Sequence, residues 1–416
     1  MKIPPFWKIN FRNKIIRQTL SLYSSELIAL VLGICTGILN TRALGPDGYG
    51  ILAFFGVVTS FTVLFFRFGT FSSVGVLLAQ CKDEIQAREL IGASILLAFV
   101  IGIFYSVFIF ILSFFIDSWF NVEIGWILRW ASLMLVALPM TLLVPQIGRG
   151  INAIFSISTF NILRPLLYLG GSLMILFSVK IEPVHLILLN CASTVIALLF
   201  IIHVFHPLFS HLQENIQTIL NKTKEYGFHL YIGQIADQST QQLNGLLIPL
   251  FVNTTQLGFF SLALMITNPI AGMSRSLATS LFRDFAHASK IPEKVIYYNM
   301  AWLGSCVIGL NIFGSFIIGL LFSKNFLPAA QLILPLSIAI FFQGMYQPYN
   351  VFLSSKMRGK WLRSMSIMMS FVNFTSVLIL VPILGTIGAA ISLILGNSSF
   401  FFSSLYYYKK YLRLSV

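Results

Sequence analysis

The sequence predicts an all-α polytopic membrane protein of about twelve transmembrane helices, arranged in two pseudo-symmetric six-helix lobes. Hydrophobic residues make up 57% of the 416-residue chain, and the mean hydropathy is +0.87. Charged residues make up only 10%, whereas a water-soluble domain uses roughly 25%. Apolar runs of about 20 residues, the length that crosses a bilayer, recur along the whole chain. We therefore expect any functional site to lie within or between membrane helices.

Six apolar runs in each half of the chain predict the transmembrane spans. Those of the first half lie at residues 18–43, 49–80, 90–116, 124–147, 155–179 and 183–205. Those of the second half lie at residues 226–251, 257–285, 295–322, 327–353, 362–381 and 388–408. The turn sequence Gly-Pro-Asp-Gly at 45–48 separates the first two spans, and short polar or charged segments separate most of the others. The spans predict two domains at 1–205 and 226–416, joined by a cytoplasmic linker at 206–225 that holds a short surface helix.

The excess of basic residues predicts the orientation of the chain. The net charge is +14, from 27 Lys and Arg against 13 Asp and Glu. If both termini lie in the cytoplasm, the cytoplasmic segments hold twenty basic residues and the outward loops hold three, Arg42, Lys180 and Lys324. Basic residues collect in the cytoplasmic loops of membrane proteins. We therefore expect a multi-pass protein of the bacterial inner membrane with cytoplasmic termini, whose charge serves topology and not nucleic-acid binding.

The two halves of the sequence resemble repeats of one unit. The predicted spans of the second half begin about 208 residues after those of the first. At this offset Gly50 aligns with Gly258, and Arg67 aligns with Arg275. Because each unit has an even number of spans, the repeats are predicted to be parallel, as in transporters that alternate around a central cleft.

One motif and its weaker echo connect the sequence to a known family. Residues 41–53 are TRALGPDGYGILA, and residues 252–263, at the start of the second half, are VNTTQLGFFSLA. The first stretch resembles the signature of the polysaccharide flippases, the Wzx-type O-antigen transporters, which share a superfamily with the multidrug and toxin extrusion (MATE) transporters. The basic N-terminal tail, the twelve-span layout and the long middle loop extend this resemblance over essentially the whole chain.

This resemblance implies a flippase that moves an undecaprenyl-pyrophosphate-linked oligosaccharide, such as an O-antigen repeat unit, from the cytoplasmic to the periplasmic leaflet. It implies coupling to a proton or sodium gradient and no cofactor. The implied partners are membrane lipids, a polysaccharide polymerase and a chain-length regulator. The alternative within the superfamily is a MATE-like ion-coupled antiporter of small molecules. A cation antiporter needs an acidic cleft, whereas the predicted spans hold more basic than acidic groups.

Four ionisable residues of the predicted spans lie in the cytoplasmic half of the bilayer. They are Arg67, Arg275, Arg164 and Glu26. A charge at mid-bilayer costs on the order of 3 kcal/mol, so it usually faces a cavity or a partner. We expect the three Arg residues to bind the lipid pyrophosphate, because guanidinium groups match phosphate oxygens. The alternatives are Arg side chains that extend to the inner headgroups and a structural ion pair between Glu26 and Arg67.

Span seven carries five polar residues that recur at helical spacing and form one stripe. They are Gln234, Asp237, Gln238, Gln241 and Asn244. Lipid cannot solvate such a stripe, which must contact protein or water. We expect the four amides to contact sugar hydroxyls, and Asp237 and Glu26 to carry the coupling ion. The alternative is a seam of hydrogen bonds between helices.

No feature of the sequence predicts an enzyme or a metal site. The predicted outward loops hold about ten residues at most, whereas membrane enzymes that polymerise or ligate sugars generally display a large extracytoplasmic loop. Neither a pair of carboxylates nor a His-based constellation is present for acid–base catalysis. The cysteines Cys35, Cys81, Cys191 and Cys306 are single and far apart, which excludes a disulfide framework and argues against a metal site.

Overall fold

The computed structural model describes residues 14–81, 83–178 and 181–414. These residues form fifteen α-helices and no β-strand, so the predicted all-α class is confirmed. The first eight helices are α1 (Lys14–Thr62), α2 (Thr70–Gln80), α3 (Glu84–Leu112), α4 (Ile116–Phe120), α5 (Gly125–Leu135), α6 (Ala137–Gly150), α7 (Ile154–Ser178) and α8 (Pro183–Phe205). The other seven are α9 (Leu212–Lys222), α10 (Phe228–Phe251), α11 (Thr254–Ser280), α12 (Phe282–His287), α13 (Glu293–Ile317), α14 (Ile333–Ser355) and α15 (Gly359–Leu414).

Two helices are too long to cross a bilayer once. Helix α1 has 49 residues and α15 has 56, whereas one span needs about 20. Each contains one residue with non-helical backbone angles, Gly45 in α1 (φ 66°) and Gly385 in α15 (φ 58°). Glycine reaches positive φ readily because it has no Cβ. Gly45 lies in the turn predicted between the first two spans, and Gly385 lies between predicted spans eleven and twelve.

Two predicted spans are interrupted in the structure. The second, at 49–80, leaves the α-helix after Thr62 and resumes as α2 at Thr70, because Phe68 (φ 47°) and Gly69 (φ 75°) adopt left-handed angles. The fourth bends by 43° between α5 and α6. Pro139 is the third residue of α6, where its missing N–H removes no helical hydrogen bond.

The helices confirm a multi-pass membrane protein. Within the described ranges, eight helices are long and apolar enough to cross a membrane, or nine if α5 and α6 together form one span. The double-length helices α1 and α15 are two of the eight. The predicted count of twelve spans stays a prediction.

The chain divides into two compact units that interleave along the sequence. The first contains residues up to 39, 62–117 and 123–233, and the second contains residues 40–61, 118–122 and those from 234 onward. The predicted domains at 1–205 and 226–416 are continuous, whereas residues 40–61 pack within the second unit. The arrangement as two six-helix lobes stays a prediction.

The linker between the predicted domains is packed against α3 within the first unit. Its helix α9 buries Ile219 completely, in an apolar cluster shared with α2, α3, α6 and α8. Arg88 Nε donates to the His206 carbonyl oxygen at 2.8 Å, and Ser210 Oγ donates to Glu89 Oε1 at 2.6 Å. Both apolar and polar contacts therefore fix the linker.

Within the second unit, the motif at residues 41–53 packs against the start of α11. Gly50 lies so close to the Thr254 carbonyl oxygen that a Cβ would collide with it. A Cβ on Gly258 would lie only 3.1 Å from the Gly50 nitrogen. The Thr255 hydroxyl donates to Asp47 Oδ1 at 2.5 Å. Gly50 with Gly258, and Asp47 with Thr255, are each 208 positions apart, so these contacts join positions that the predicted repeat makes equivalent.

Two further residues of the motif have structural roles in the second unit. Arg42 Nε donates to the Leu321 carbonyl oxygen at 2.7 Å, and Arg42 Nη2 donates to the Leu320 carbonyl oxygen. A cationic side chain suits such carbonyls at the end of a helix. The ring of Tyr49 packs edge-to-face on Phe326, with 5.8 Å between centroids. The motif thus acts as a packing element rather than as a binding surface.

The close approach at Gly50 predicts a stability change. We expect Gly50→Ala to lower the free energy of unfolding by about 1–3 kcal/mol, the usual cost of overpacking, because the new methyl group meets backbone atoms that cannot rotate away. Gly56→Ala in the same helix is the control, because no atom lies within 4 Å of its added Cβ, and alanine is the better helix former. Thermal unfolding of the detergent-solubilised protein measures both; equal midpoints for the two variants would contradict the prediction.

Candidate functional site

Arg164 lines a cavity of about 360 Å³ in the first unit. The other lining residues are Thr36, Phe160, Asn161, Pro165, Tyr168 and Asn190. Arg164 lies on α7 and donates from Nη2 to Asn190 Oδ1 on α8 at 3.2 Å. Within the described ranges the salt bridges are Lys222–Glu225 and Lys290–Glu293, so no carboxylate neutralises Arg164. This half-buried guanidinium therefore has one side-chain hydrogen bond and no counter-ion among the described residues, beside an open cavity.

Arg67 lies at the break between α1 and α2. Its Nε is buried without a hydrogen-bond partner in the described part of the chain. The Tyr231 hydroxyl, near the start of α10, donates to the neighbouring Phe65 carbonyl oxygen at 2.7 Å. A Cβ added to Gly69 would collide with the Gly227 carbonyl oxygen. The backbone around Arg67 is thus held by contacts with Tyr231 and Gly227. The guanidinium group of Arg67 is not held in this way.

Arg275 and Glu26 are both exposed on their own units. Arg275 lies within the continuous helix α11. Its counterpart in the predicted repeat, Arg67, lies at a break between helices. Glu26 lies on the first part of α1. The ion pair between Glu26 and Arg67 is not among the salt bridges of the described residues. The roles of Arg67, Arg275, Arg164 and Glu26 in binding and coupling stay predictions.

The polar stripe of span seven lies on the single helix α10. The side chains of Gln234, Asp237, Gln238 and Gln241 lie outside the described residues, so their predicted roles stay predictions. Asn244 is described and is only 2% exposed. It contributes to a second cavity.

This second cavity lies inside the second unit and is rich in carboxamides. Its volume is about 230 Å³. Six side-chain amides line it, from four helices: Gln242 and Asn244 on α10, Asn268 on α11, Gln343 on α14, and Asn373 and Asn397 on α15. Its lining also includes Phe260 and Tyr346, and none of the described residues that line it is charged. We call it the amide cavity.

Among the described residues, the amide of Asn244 is not used in packing. Both Nδ2 and Oδ1 of Asn244 are buried with no hydrogen-bond partner among the described residues. A buried polar group without a partner costs roughly 1–3 kcal/mol. Asn397 donates from Nδ2 to the Ala339 carbonyl oxygen at 2.9 Å, which fixes the plane of its amide. The cavity therefore offers held but unused hydrogen-bonding groups.

Of the six amides, sequence reasoning identified only Asn244. The other five interrupt apolar runs, where an isolated amide is unremarkable. Asn268, Asn373 and Asn397 are the single amides of their predicted spans, whereas Gln343 is one of four amides in the span at 327–353.

The two cavities suit different chemistry. A guanidinium group without a counter-ion favours an anion, and phosphate oxygens match its planar donors. Carboxamides both donate and accept hydrogen bonds, as hydroxyl groups do. Within the described ranges, no group of three or more His, Cys, Asp or Glu residues could hold a metal ion. The described lining of the first cavity therefore suits an anion, and that of the second suits a neutral polar group.

The fold and these cavities define a helical membrane protein with polar binding sites inside it, as in transporters. The model of the polysaccharide biosynthesis protein family matches residues 15–287, which is more than half of the chain. The chain belongs to this family. The predicted relationship to polysaccharide flippases is thereby confirmed at the level of the family. No curated protein matches the sequence to a significant degree.

Solved structures share the fold over nearly the whole chain. An inward-facing multidrug resistance MATE transporter of the MOP superfamily superposes with a TM-score of 0.72 at 15% identity, covering 93% of this chain and 95% of that one. The lipid II flippase MurJ, in an inward closed conformation, gives a TM-score of 0.70 at 14% identity, covering 96% and 90%. A Vibrio cholerae MATE transporter gives 0.61 at 12% identity, covering 96% and 98%. These likenesses show a flippase or transporter fold.

The setting of Arg164 predicts that its replacement does not destabilise the protein. A guanidinium group with one side-chain partner and no counter-ion contributes little to stability and is costly in a membrane helix. We expect Arg164→Leu to leave the thermal midpoint unchanged or to raise it. Arg129→Leu is the control: Arg129 lies 4.8 Å from the centroid of the Phe114 ring, a cation–π contact worth about 0.5–1 kcal/mol, so the midpoint should fall. A drop for Arg164→Leu larger than that of the control would show a structural role.

Proposed function

We propose that this chain is a flippase that translocates an undecaprenyl-pyrophosphate-linked oligosaccharide from the cytoplasmic to the periplasmic leaflet. Arg164 is the observation that carries the proposal, because it lines a cavity among membrane helices without a carboxylate partner in the described residues. Binding an anionic headgroup offsets the cost of that charge. Membership of the polysaccharide biosynthesis family supplies the glycan context.

Each predicted site residue has a role in this proposal. Arg67, Arg275 and Arg164 bind the pyrophosphate, and Gln234, Gln238, Gln241 and Asn244 contact the sugar. Glu26 and Asp237 carry the proton or sodium ion whose gradient drives alternating access. The protein performs no covalent chemistry and needs no cofactor. It works in the inner membrane, with the polymerase and the chain-length regulator of the same glycan as partners.

The second candidate function is a MATE-like ion-coupled antiporter of small molecules. The fold favours it as much as it favours a flippase, since the TM-scores to a MATE transporter and to MurJ are 0.72 and 0.70. The described linings of the two cavities disfavour it, because neither includes Asp or Glu. A site for organic cations needs such negative charge.

The amount of glycan on the cell surface measures the proposed flippase activity. In a bacterial host that assembles the glycan but lacks its own flippase, the wild-type chain should restore surface polysaccharide. We expect the double variant Arg67→Ala and Arg275→Ala to reduce it at least tenfold, because each hydrogen bond to a charged group is worth about 1.5–3 kcal/mol. Arg129→Ala, at equal abundance in the membrane, is the control and should stay within twofold of wild type. Undiminished glycan in the double variant would remove the pyrophosphate assignment.

The proposed topology is tested at Cys81, which follows α2 in the short segment before α3. A variant that keeps only this cysteine should react with a membrane-impermeant maleimide in inverted vesicles and not in intact cells. Labelling from the outside would overturn the cytoplasmic placement of both termini.

The same labelling should depend on pH. Partial burial and, after it, the Asp83 carboxylate raise the pKa of the Cys81 thiol. Since the thiolate is the reactive form, the rate should be low at neutral pH and rise with pH until the raised pKa is passed. Asp83→Asn should speed the reaction at pH 7 by removing the nearby negative charge. Asparagine can still cap α3, which Asp83 does by accepting from the Ile85 and Gln86 amides.

A further inference from the structure

We propose that the amide cavity of the second unit binds one uncharged pyranose ring of the transported glycan. The inference rests on the proposed function for the identity of its ligand. It adds a site of defined chemistry, in which Gln242, Asn268, Gln343, Asn373 and Asn397 act together with Asn244. Pyrophosphate recognition by arginine is separate from it.

The hydrogen-bonding character of the lining selects the ligand class. A carboxamide offers two donors and an acceptor with two lone pairs, a hydroxyl both donates and accepts, an ammonium only donates, and an ionised phosphate only accepts. Six amides without any charged residue therefore match a group that carries several hydroxyls and no charge. Sugar rings fit this description.

The side chain of Asn244 favours a ligand, because packing among the described residues uses neither of its polar atoms. It is 2% exposed, and neither polar atom of its side chain has a partner among the described residues. Leucine at this position would avoid the cost of roughly 1–3 kcal/mol for an unpaired buried polar group. Retention of an amide here is explained if a ligand, with water in its absence, completes the hydrogen bonds.

The size and apolar walls of the cavity limit the ligand to one ring. Its volume of about 230 Å³ lies below the roughly 300–1,000 Å³ of pockets for drug-sized ligands, so an oligosaccharide does not fit. Phe260 and Tyr346 provide aromatic surface for the C–H faces of a ring, and Tyr346 is held by a ring contact with Phe400 at 4.4 Å between centroids. Sites for small ligands combine such apolar walls with a few placed polar groups.

Two glycines permit close packing of the cavity walls. A Cβ on Gly245 would lie 2.6 Å from a methyl group of Val57, and a Cβ on Gly396 would lie 3.2 Å from the Asn373 Cβ. All four residues line the cavity. A side chain at either glycine would force the contacting walls apart and change the shape of the cavity.

A sodium ion is the other ligand that amide oxygens could hold. The described lining has no carboxylate, so a cation bound there would lose its hydration without a compensating negative charge. The amide cavity therefore fits a neutral ring better than a cation, and the experiment below includes sodium as a separate probe.

Binding of simple glycosides tests the proposal on the full chain in nanodiscs. Saturation-transfer NMR is recorded with a panel of neutral methyl pyranosides, including 2-acetamido sugars, and with a methyl glucuronide as the charged comparison. We expect at least one neutral pyranoside to bind saturably, and its dissociation constant to rise at least tenfold in Asn244→Leu and in Gln343→Leu. Asn299→Leu is the control, because Asn299 is a buried amide outside the lining that donates to the Gly344 carbonyl oxygen at 3.1 Å; it should lose thermal stability and keep binding.

Several outcomes would overturn the inference. They are the absence of binding by every neutral pyranoside, preference for the glucuronide, unchanged affinity in both amide variants, or a sodium-dependent thermal shift that Asn244→Leu abolishes.

Export in the complementation host separates this inference from the proposed function. If the Arg67 and Arg275 double variant abolishes surface glycan while the amide variants bind and export normally, only the cavity assignment fails. If a neutral pyranoside binds through Asn244 but wild type restores no glycan, only the flippase assignment fails.

Discussion

The close backbone contact between Gly50 and Thr254 is the constraint on which the packing of the second unit depends. Only glycine permits this approach, and around it the motif forms its other contacts: Asp47 with Thr255, Tyr49 with Phe326, and Arg42 with the carbonyls after α13. Residues 40–61 are held in the second unit by these contacts, although they precede it in sequence by almost two hundred residues. The motif that resembles the flippase signature is thus explained by packing and needs no ligand to account for it.

Two kinds of polar environment occur among the described residues. In the first unit, Arg164 and Arg67 present cationic groups with few partners; in the second unit, which also holds the exposed Arg275, the described lining of the amide cavity has no ionised group. In a medium of low polarity, each environment strongly favours the ligand that complements it. A charge without a counter-charge and a hydrogen-bonding group without a partner are both costly there. A lipid-linked sugar carries an anionic end and a hydroxyl-rich end, and the two kinds of environment correspond to these two ends.

The class of fold could be predicted from the sequence because long apolar runs have one stable form in a bilayer, the helix. The break at Gly45 was predictable, since Gly-Pro-Asp-Gly is a turn sequence. The break at Phe68 and Gly69 was not, because an aromatic residue at positive φ has no signature in an apolar run. The repeat alignment pairs Arg67 with Arg275, yet Arg67 lies at a break between helices and Arg275 lies within a continuous helix. The amide cavity could not be predicted, because its six amides come from four helices that only the tertiary structure brings together.

The described lining of the amide cavity holds no ionised group, and this has an electrical consequence. A neutral ring that enters such a lining moves no charge through the field across the membrane, which acts on each elementary charge with about 2.3 kcal/mol per 100 mV. We therefore expect occupancy by a neutral ring to be indifferent to membrane voltage and to ionic strength. Under the proposed function, any electrogenic behaviour would originate at the arginines and carboxylates that are proposed to bind the headgroup and the coupling ion.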